Sequence, residues 1–288
     1  MKVGMFGLGA MGMHMARNLQ RAGLLAGVWN RSAGKSAALA TEPGITAFDT
    51  PAALARQCTA MVLCVSADSD VREVVAALLP GANAGSLVMD CSTISAATAR
   101  DLQARLRPFG VSFLDCPVSG GVEGARLGTL AIMVGGEPQD FERAGPVLAC
   151  LGKTISHLGP CGAGQAAKAT NQIMCAGIIQ AVAEAMAFAK AEGLPLPQLI
   201  DTLGKGAGSS WYFVNRAPNM ARQEYPAGFR VRLHAKDLRI CHDMAAAHGA
   251  TLPAVESTLK LYQQLIEQGH GDEDISAVFR LTSTLFRD

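Results

Sequence analysis

The chain has 288 residues, 49% hydrophobic and 17% charged, which suits two domains with sizeable cores and excludes a disordered polymer. Lys and Arg number 25 against 24 Asp and Glu, a formal net charge of +1, so nothing in the overall charge points to nucleic acid or a membrane as a partner. The eight cysteines include no C-x-x-C pair and several sit in apolar runs such as "MVLCV", so they read as reduced, buried small hydrophobes suited to the cytoplasm.

The opening "MKVGMFGLGAMGMHMARNLQRAG" has one Lys, an apolar run and small residues, a combination that an export signal shares. Four glycines within nine residues (Gly4, Gly7, Gly9, Gly12), followed at once by His14 and Arg17, break that reading. What remains is a buried strand, a glycine turn and a helix. "LAGVWN", "MVLCVS", "SLVMDCS", "VSFLDCP" and "LAIMVGG" continue as strands without polar alternation, the pattern of a parallel sheet covered on both faces. Helices fall between them, with starts marked by Thr50-Pro51 and by Ser95. No apolar run approaches the ~20 residues of a membrane span.

After "GPCGAGQ" the texture changes. Residues 164–192 contain no Pro and end at Gly193, which predicts one helix of roughly 40 Å, buried on most sides. The remainder reads as wholly helical. The expected fold is therefore an α/β domain over residues 1–162 and an all-α domain over 163–288, joined by the long helix.

Gly7, Gly9 and Gly12 form G-x-G-x-x-G between strand and helix, the arrangement that lets backbone amides approach a dinucleotide pyrophosphate. Leu8, Ala10 and Met11 complete that loop. Strand 2 then ends in Asn30, Arg31 and Ser32, with Lys35 nearby, where a cofactor with a free ribose hydroxyl usually meets a carboxylate. A guanidinium can pair with a 2′-phosphate instead. This favours NADP(H), with NAD(H) as the alternative; the competing reading of Arg31 is a solvated residue beside a helix start.

The motifs "GLGAMGMHMARNL", "DCSTIS", "DCPVSGGVEGARLGTL", "GAGQAAKATNQ", "GAGSSW" and "FRVRLHAKDL" together resemble the β-hydroxyacid dehydrogenase family, in order and from end to end. The family includes 3-hydroxyisobutyrate dehydrogenases, tartronate semialdehyde reductases and glyoxylate/succinic semialdehyde reductases. The resemblance implies a Rossmann domain, a connecting helix, a helical domain and homodimers or homotetramers. It carries a substrate loop onto Ser119, Gly120 and Gly121, a catalytic lysine onto Lys168 and its companion amide onto Asn171. Thr93 and Lys236 fall on positions beside the cofactor, as do Val65 and Ser66. Gln172 stands where some relatives have a second Asn, and its role is left open. Imine reductases share the architecture but typically lack the helix lysine, and phosphogluconate dehydrogenases are much longer.

The residues suit that chemistry on their own terms. Hydride addition to an aldehyde leaves negative charge on oxygen, so a positioned acid is needed, and Lys168 in an apolar helix can supply one. Asn171 lies three residues on along the same face. "VSGG" offers a hydroxyl and free amides for a substrate carboxylate. Trp211 could wall a pocket or belong to the core, and Lys236 could simply pair with Asp237 on a surface. His234, His242 and His248 show no metal-ligand spacing, so no metal is expected. The favoured substrate is a small carboxylate-bearing aldehyde, tartronate semialdehyde first, with 3-hydroxyisobutyrate and glyoxylate or succinic semialdehyde behind it. A nucleotide-binding sensor without chemistry is the alternative from a different class.

Overall fold

The computed structural model describes residues 1–286 and separates into two compact units, the first Met1–Lys168 and the second from Ala169 onward. In chain order the first unit runs β1 (Val3–Phe6), α1 (Gly12–Arg21), β2 (Leu25–Trp29), α2 (Ala33–Leu39), α3 (Pro51–Ala55), β3 (Ala60–Leu63) and α4 (Asp68–Leu78). It continues with β4 (Leu87–Asp90), α5 (Ala96–Leu106), β5 (Ser112–Asp115), β6 (Val118–Ser119), α6 (Gly121–Leu127), β7 (Leu130–Gly135), α7 (Pro138–Leu151) and β8 (Gly152–Gly159). The long helix α8 (Ala163–Ala191) starts in this unit.

The strands line up as β2-β1-β3-β4-β5-β7-β6, with β8 on β7. Strands β1 to β5 pair in parallel, so their C-terminal ends, and the loops that follow them, share one edge. Alternation along each strand feeds two cores. Val3, Met5, Val62, Met89 and Leu114 pack under α1 and α7, while Phe6, Leu63, Val88 and Phe113 pack under α3, α4 and α5. Each such side chain contributes roughly 1.5–3 kcal/mol by leaving water. The fold is a parallel-dominated Rossmann-type domain followed by a helical one.

The sheet departs from the all-parallel expectation in one place. β7 runs antiparallel to β5 and to β6, and β8 then pairs parallel with β7. An apolar run such as "LAIMVGG" reports burial and carries no information about direction. β6 has only two residues, and β8 beyond its buried Gly152 has only exposed and half-buried positions, so neither shows the continuous apolar run of its neighbours.

The second unit is helical: the rest of α8, then α9 (Leu196–Leu203), α10 (Trp211–Arg222), α11 (Val231–Ala246), α12 (Pro253–Glu267) and α13 (Phe279–Thr282). Ile179, Val182 and Met186 of α8 pack with Leu238, Tyr262 and Phe279 in its core. One stripe of α8 is bare, with Met174, Ala181 and Phe188 exposed at seven-residue spacing, while most of its other positions are buried or half-buried as expected. One expectation for α8 needs correction: by length and composition it is apolar enough to cross a membrane, and 44% of its most apolar window is buried in the protein. Scattered Gln, Asn and Lys residues break its runs, which hides that length from a scan for continuous apolar sequence.

One contact sets the geometry of the glycine turn. A Cβ on Gly12 would stand 2.0 Å from the carbonyl oxygen of Gly7, and Gly7 itself has φ +94°. Backbone cannot yield there as a flexible side chain could. Gly12→Ala should therefore destabilise the protein by about 2 kcal/mol or more, read as a lower urea midpoint at unchanged slope.

Candidate active site

The glycine turn opens into a cleft lined by Gly7, Gly9, Asn30, Arg31, Ser32, Lys35, Val65, Ser66, Asp70 and Glu73. Parallel pairing places these residues together because the turns after β1, β2 and β3 lie side by side. A Cβ on Gly9 would meet no atom within 4 Å, so the backbone there is open to a ligand. The first turn of α1 carries no acidic residue. Both features fit a pyrophosphate against the helix N-terminus. Asn30 ties the turn to the end of β2, its Oδ1 accepting from the Leu8 amide at 2.8 Å.

Arg31 is exposed and forms an ion pair across the cleft, its Nη1 2.7 Å from Asp70 Oδ1 and 3.4 Å from Glu73 Oε2. The Asp70 carboxylate holds the guanidinium pKa above its ordinary value. The sequence reading missed these two acids, which enter from α4, 39 and 42 residues away.

Behind the cleft lies a buried polar network. Asp90 ends β4 and accepts from the Ser92 amide at 3.0 Å through Oδ1. Ser92 Oγ in turn accepts from the Val65 amide at 2.9 Å. Gln165, in the first turn of α8, donates to Ser92 O at 2.9 Å and accepts from Ile94 N at 3.2 Å. Asp115, at the end of β5, accepts from Gly162 N and Gln165 N at 2.8 Å each. That carboxylate satisfies two of the amides that a helix start leaves without partners. Gly164 allows the close seating, since a Cβ there would fall 2.4 Å from Met133 O. Lys168 follows one turn later and is 6% exposed. Thr93 lies between the two residues that Gln165 grips, and Ser119 to Gly121 follow β5 on β6 and the start of α6, with Gly120 at φ +126°.

The second unit holds its own chain of polar groups. Asn171 Nδ2 donates to Gln172 Oε1 at 2.9 Å, and Gln172 Nε2 donates to Asp237 Oδ2 at 2.7 Å. Asp237 Oδ1 pairs with Lys236 Nζ at 2.9 Å. The Lys-Asp pair is therefore half inside the protein, with Asp237 buried, rather than a surface pair. Gln172, whose role was open, is 1% exposed and bridges Asn171 to Asp237. Trp211 is 62% exposed at the start of α10, under Arg216, and so is not a core residue. His234 is fully buried, bonded to the Tyr262 hydroxyl at 3.0 Å.

The strand, glycine turn and helix of the first unit have the form of a dinucleotide-binding domain, and similarity to known proteins gives the class. Residues 2–159 match the family model described as the NAD binding domain of 6-phosphogluconate dehydrogenase. Residues 162–282 match that described as NAD-binding of NADP-dependent 3-hydroxyisobutyrate dehydrogenase. An NAD-dependent L-serine dehydrogenase of Pseudomonas aeruginosa is 35% identical over 97% of both chains. The 3-hydroxyisobutyrate dehydrogenase of Mycobacterium tuberculosis, solved with L-serine, superposes with a TM-score of 0.90 at 33% identity, covering 97% of this chain and 98% of its own. Psf3 in complex with NADP+ and 2-OPP has a TM-score of 0.86 at 25% identity, with 97% and 99% covered. The chain belongs to the β-hydroxyacid dehydrogenase family. It is an enzyme of the NAD(P)-binding oxidoreductases that act on hydroxyl groups.

Asp90 offers a test of the buried network. It is fully buried, and Oδ2 has no hydrogen-bond partner among the described residues. Desolvation pushes its pKa from 3.8 up to about 7, against the hydrogen bonds from Ser92. Between those two values the folded protein keeps a proton that the unfolded chain releases, so this carboxyl makes stability fall as pH rises from about 4 to about 7. Stability of Asp90→Asn relative to the parent should therefore improve by on the order of a few kcal/mol between pH 4 and pH 8. Denaturant midpoints at both pH values would show it, and a constant difference would contradict it.

Proposed function

We propose that this enzyme transfers a hydride between NADP(H) and a three- or four-carbon β-hydroxyacid or its semialdehyde, with Lys168 as acid/base. The observation that carries the reading is a lysine 6% exposed on a helix whose first turn is bonded to the loops beside the dinucleotide cleft. The nicotinamide, when bound, supplies or accepts the hydride. Lys168 Nζ gives a proton to the carbonyl oxygen in reduction and removes the hydroxyl proton in oxidation. Asn171, one turn on along α8, orients the amine or the substrate. On the motif match, Ser119 Oγ and the amides of Gly120 and Gly121 bind the carboxylate, and Trp211 is assigned to substrate recognition. Thr93 and Lys236 serve the cofactor, a role that rests on the motif match.

L-Serine, 3-hydroxyisobutyrate and glycerate share a primary hydroxyl β to a carboxylate and differ only in the group on C2. Tartronate semialdehyde is the oxidised partner of glycerate. One mechanism therefore serves all of them, and what meets the C2 group decides among them. The named activities of the relatives favour L-serine and 3-hydroxyisobutyrate; tartronate semialdehyde rests on the motif match, and glyoxylate and succinic semialdehyde complete the panel. The exposed Met174, Ala181 and Phe188 on α8 support a homo-oligomer built through the second unit.

Lys168→Ala should lower turnover by about 10²–10⁴-fold in both directions, with NADPH binding by fluorescence retained. Turnover near that of the parent would assign the proton transfer to another residue.

The absence of an acid at the end of β2, together with Arg31 and Lys35 in the cleft, supports NADP(H) over NAD(H). Asp70 competes with a 2′-phosphate for Arg31. Asp70→Asn should tighten NADPH by about two- to fivefold in a fluorescence titration and leave NADH unchanged. Tighter NADH binding in the unmodified protein would reverse the proposed preference.

A further inference from the structure

Gln165 is 1% exposed, and both ends of its side-chain amide are occupied. Nε2 donates to the carbonyl of Ser92 and Oε1 accepts from the amide of Ile94, so one side chain holds the backbone on either side of Thr93. Its own backbone N–H is fixed by Asp115. Through Ser92 Oγ the same grip extends to Val65, in the loop after β3. Lys168 lies three residues further along α8, on the adjoining turn of the same face.

We propose that Gln165 is a positioning residue, which sets the distance of the Lys168 amine from the Thr93 segment and hence from the reacting end of the cofactor. The proposal rests on Lys168 being the acid/base. The two bonds need one donor and one acceptor side by side at the reach of a Gln side chain. A carboxylate of the same length accepts from Ile94 but cannot donate to Ser92 O, and Leu leaves both backbone groups buried without partners. A shift of about 1 Å in a proton donor can cost on the order of 100-fold in rate while ground-state binding survives.

The test compares Gln165→Leu, Gln165→Glu and Lys168→Ala as full-length proteins, using NADPH titration by fluorescence and turnover with the best substrate of the panel. Folded Gln165→Leu should lose about 10–100-fold in kcat, keep its NADPH Kd within about threefold, and show a larger primary deuterium isotope effect with 4-deuterated cofactor. Gln165→Glu should be impaired at pH 8 and recover as the pH falls, because the protonated carboxyl regains a donor for Ser92 O. That recovery carries the test if the Leu variant does not fold. Parental kcat at pH 8 in either variant while Lys168→Ala is inactive would overturn the positioning role alone. A kcat loss matched by an equal loss of NADPH affinity would overturn it too, by making Gln165 part of the cofactor site. Full activity of Lys168→Ala would instead overturn the acid/base reading beneath it.

Discussion

Asp115 ends the fifth strand with no exposed surface, and its two carboxylate oxygens each accept a backbone hydrogen bond, from Gly162 and Gln165. A charge is costly to bury, and it is tolerated here because it meets the amides and partial positive charge of a helix start. The bond fixes where α8 begins, and a rigid helix carries that position forward to Lys168 one turn on. Without it, the amine would sit on a helix end free to fray.

The rest of the first unit extends this anchor sideways. Gln165 passes it to the backbone around Thr93, Ser92 passes it to Val65, and Asp90 supports Ser92 from below. The strand ends β3, β4 and β5 are thereby locked to the helix that leaves the sheet. The cleft beside the glycine turn is built differently, from open glycine backbone and an exposed Arg31 paired with Asp70 and Glu73. Buried hydrogen bonds are thus concentrated around the proposed acid/base, and exposed charge where the cofactor preference is proposed to be set. In the second unit Gln172 and Asp237 do for Lys236 and Asn171 what Gln165 does in the first, holding polar groups by buried hydrogen bonds.

Much of this was legible from residues alone. The three glycines of the turn announced themselves because only glycine tolerates the approach of Gly12 to Gly7, and the six principal strands did so because a doubly covered sheet demands unbroken apolar runs. Strand direction did not show, because burial does not depend on it. The two-residue β6 and the half-exposed β8 carried no such signal. Gln165 and Gln172 looked like ordinary polar residues on an apolar helix, since an amide reveals its partners only when both of them are folded into reach. The acids facing Arg31 were hidden for the same reason.

Sequence by itself determined the α/β-then-α order, the dinucleotide turn, the family and the lysine on the long helix, because each depends on local periodicity, a backbone requirement or a contiguous motif. Tertiary structure alone decided that Asp115 holds the start of that helix, that one amide spans both neighbours of Thr93, and that Asp70 claims Arg31. Those are contacts between residues 39 to 73 positions apart. A hydrogen bond acts over about 3 Å of space and leaves no trace in the linear order of the chain.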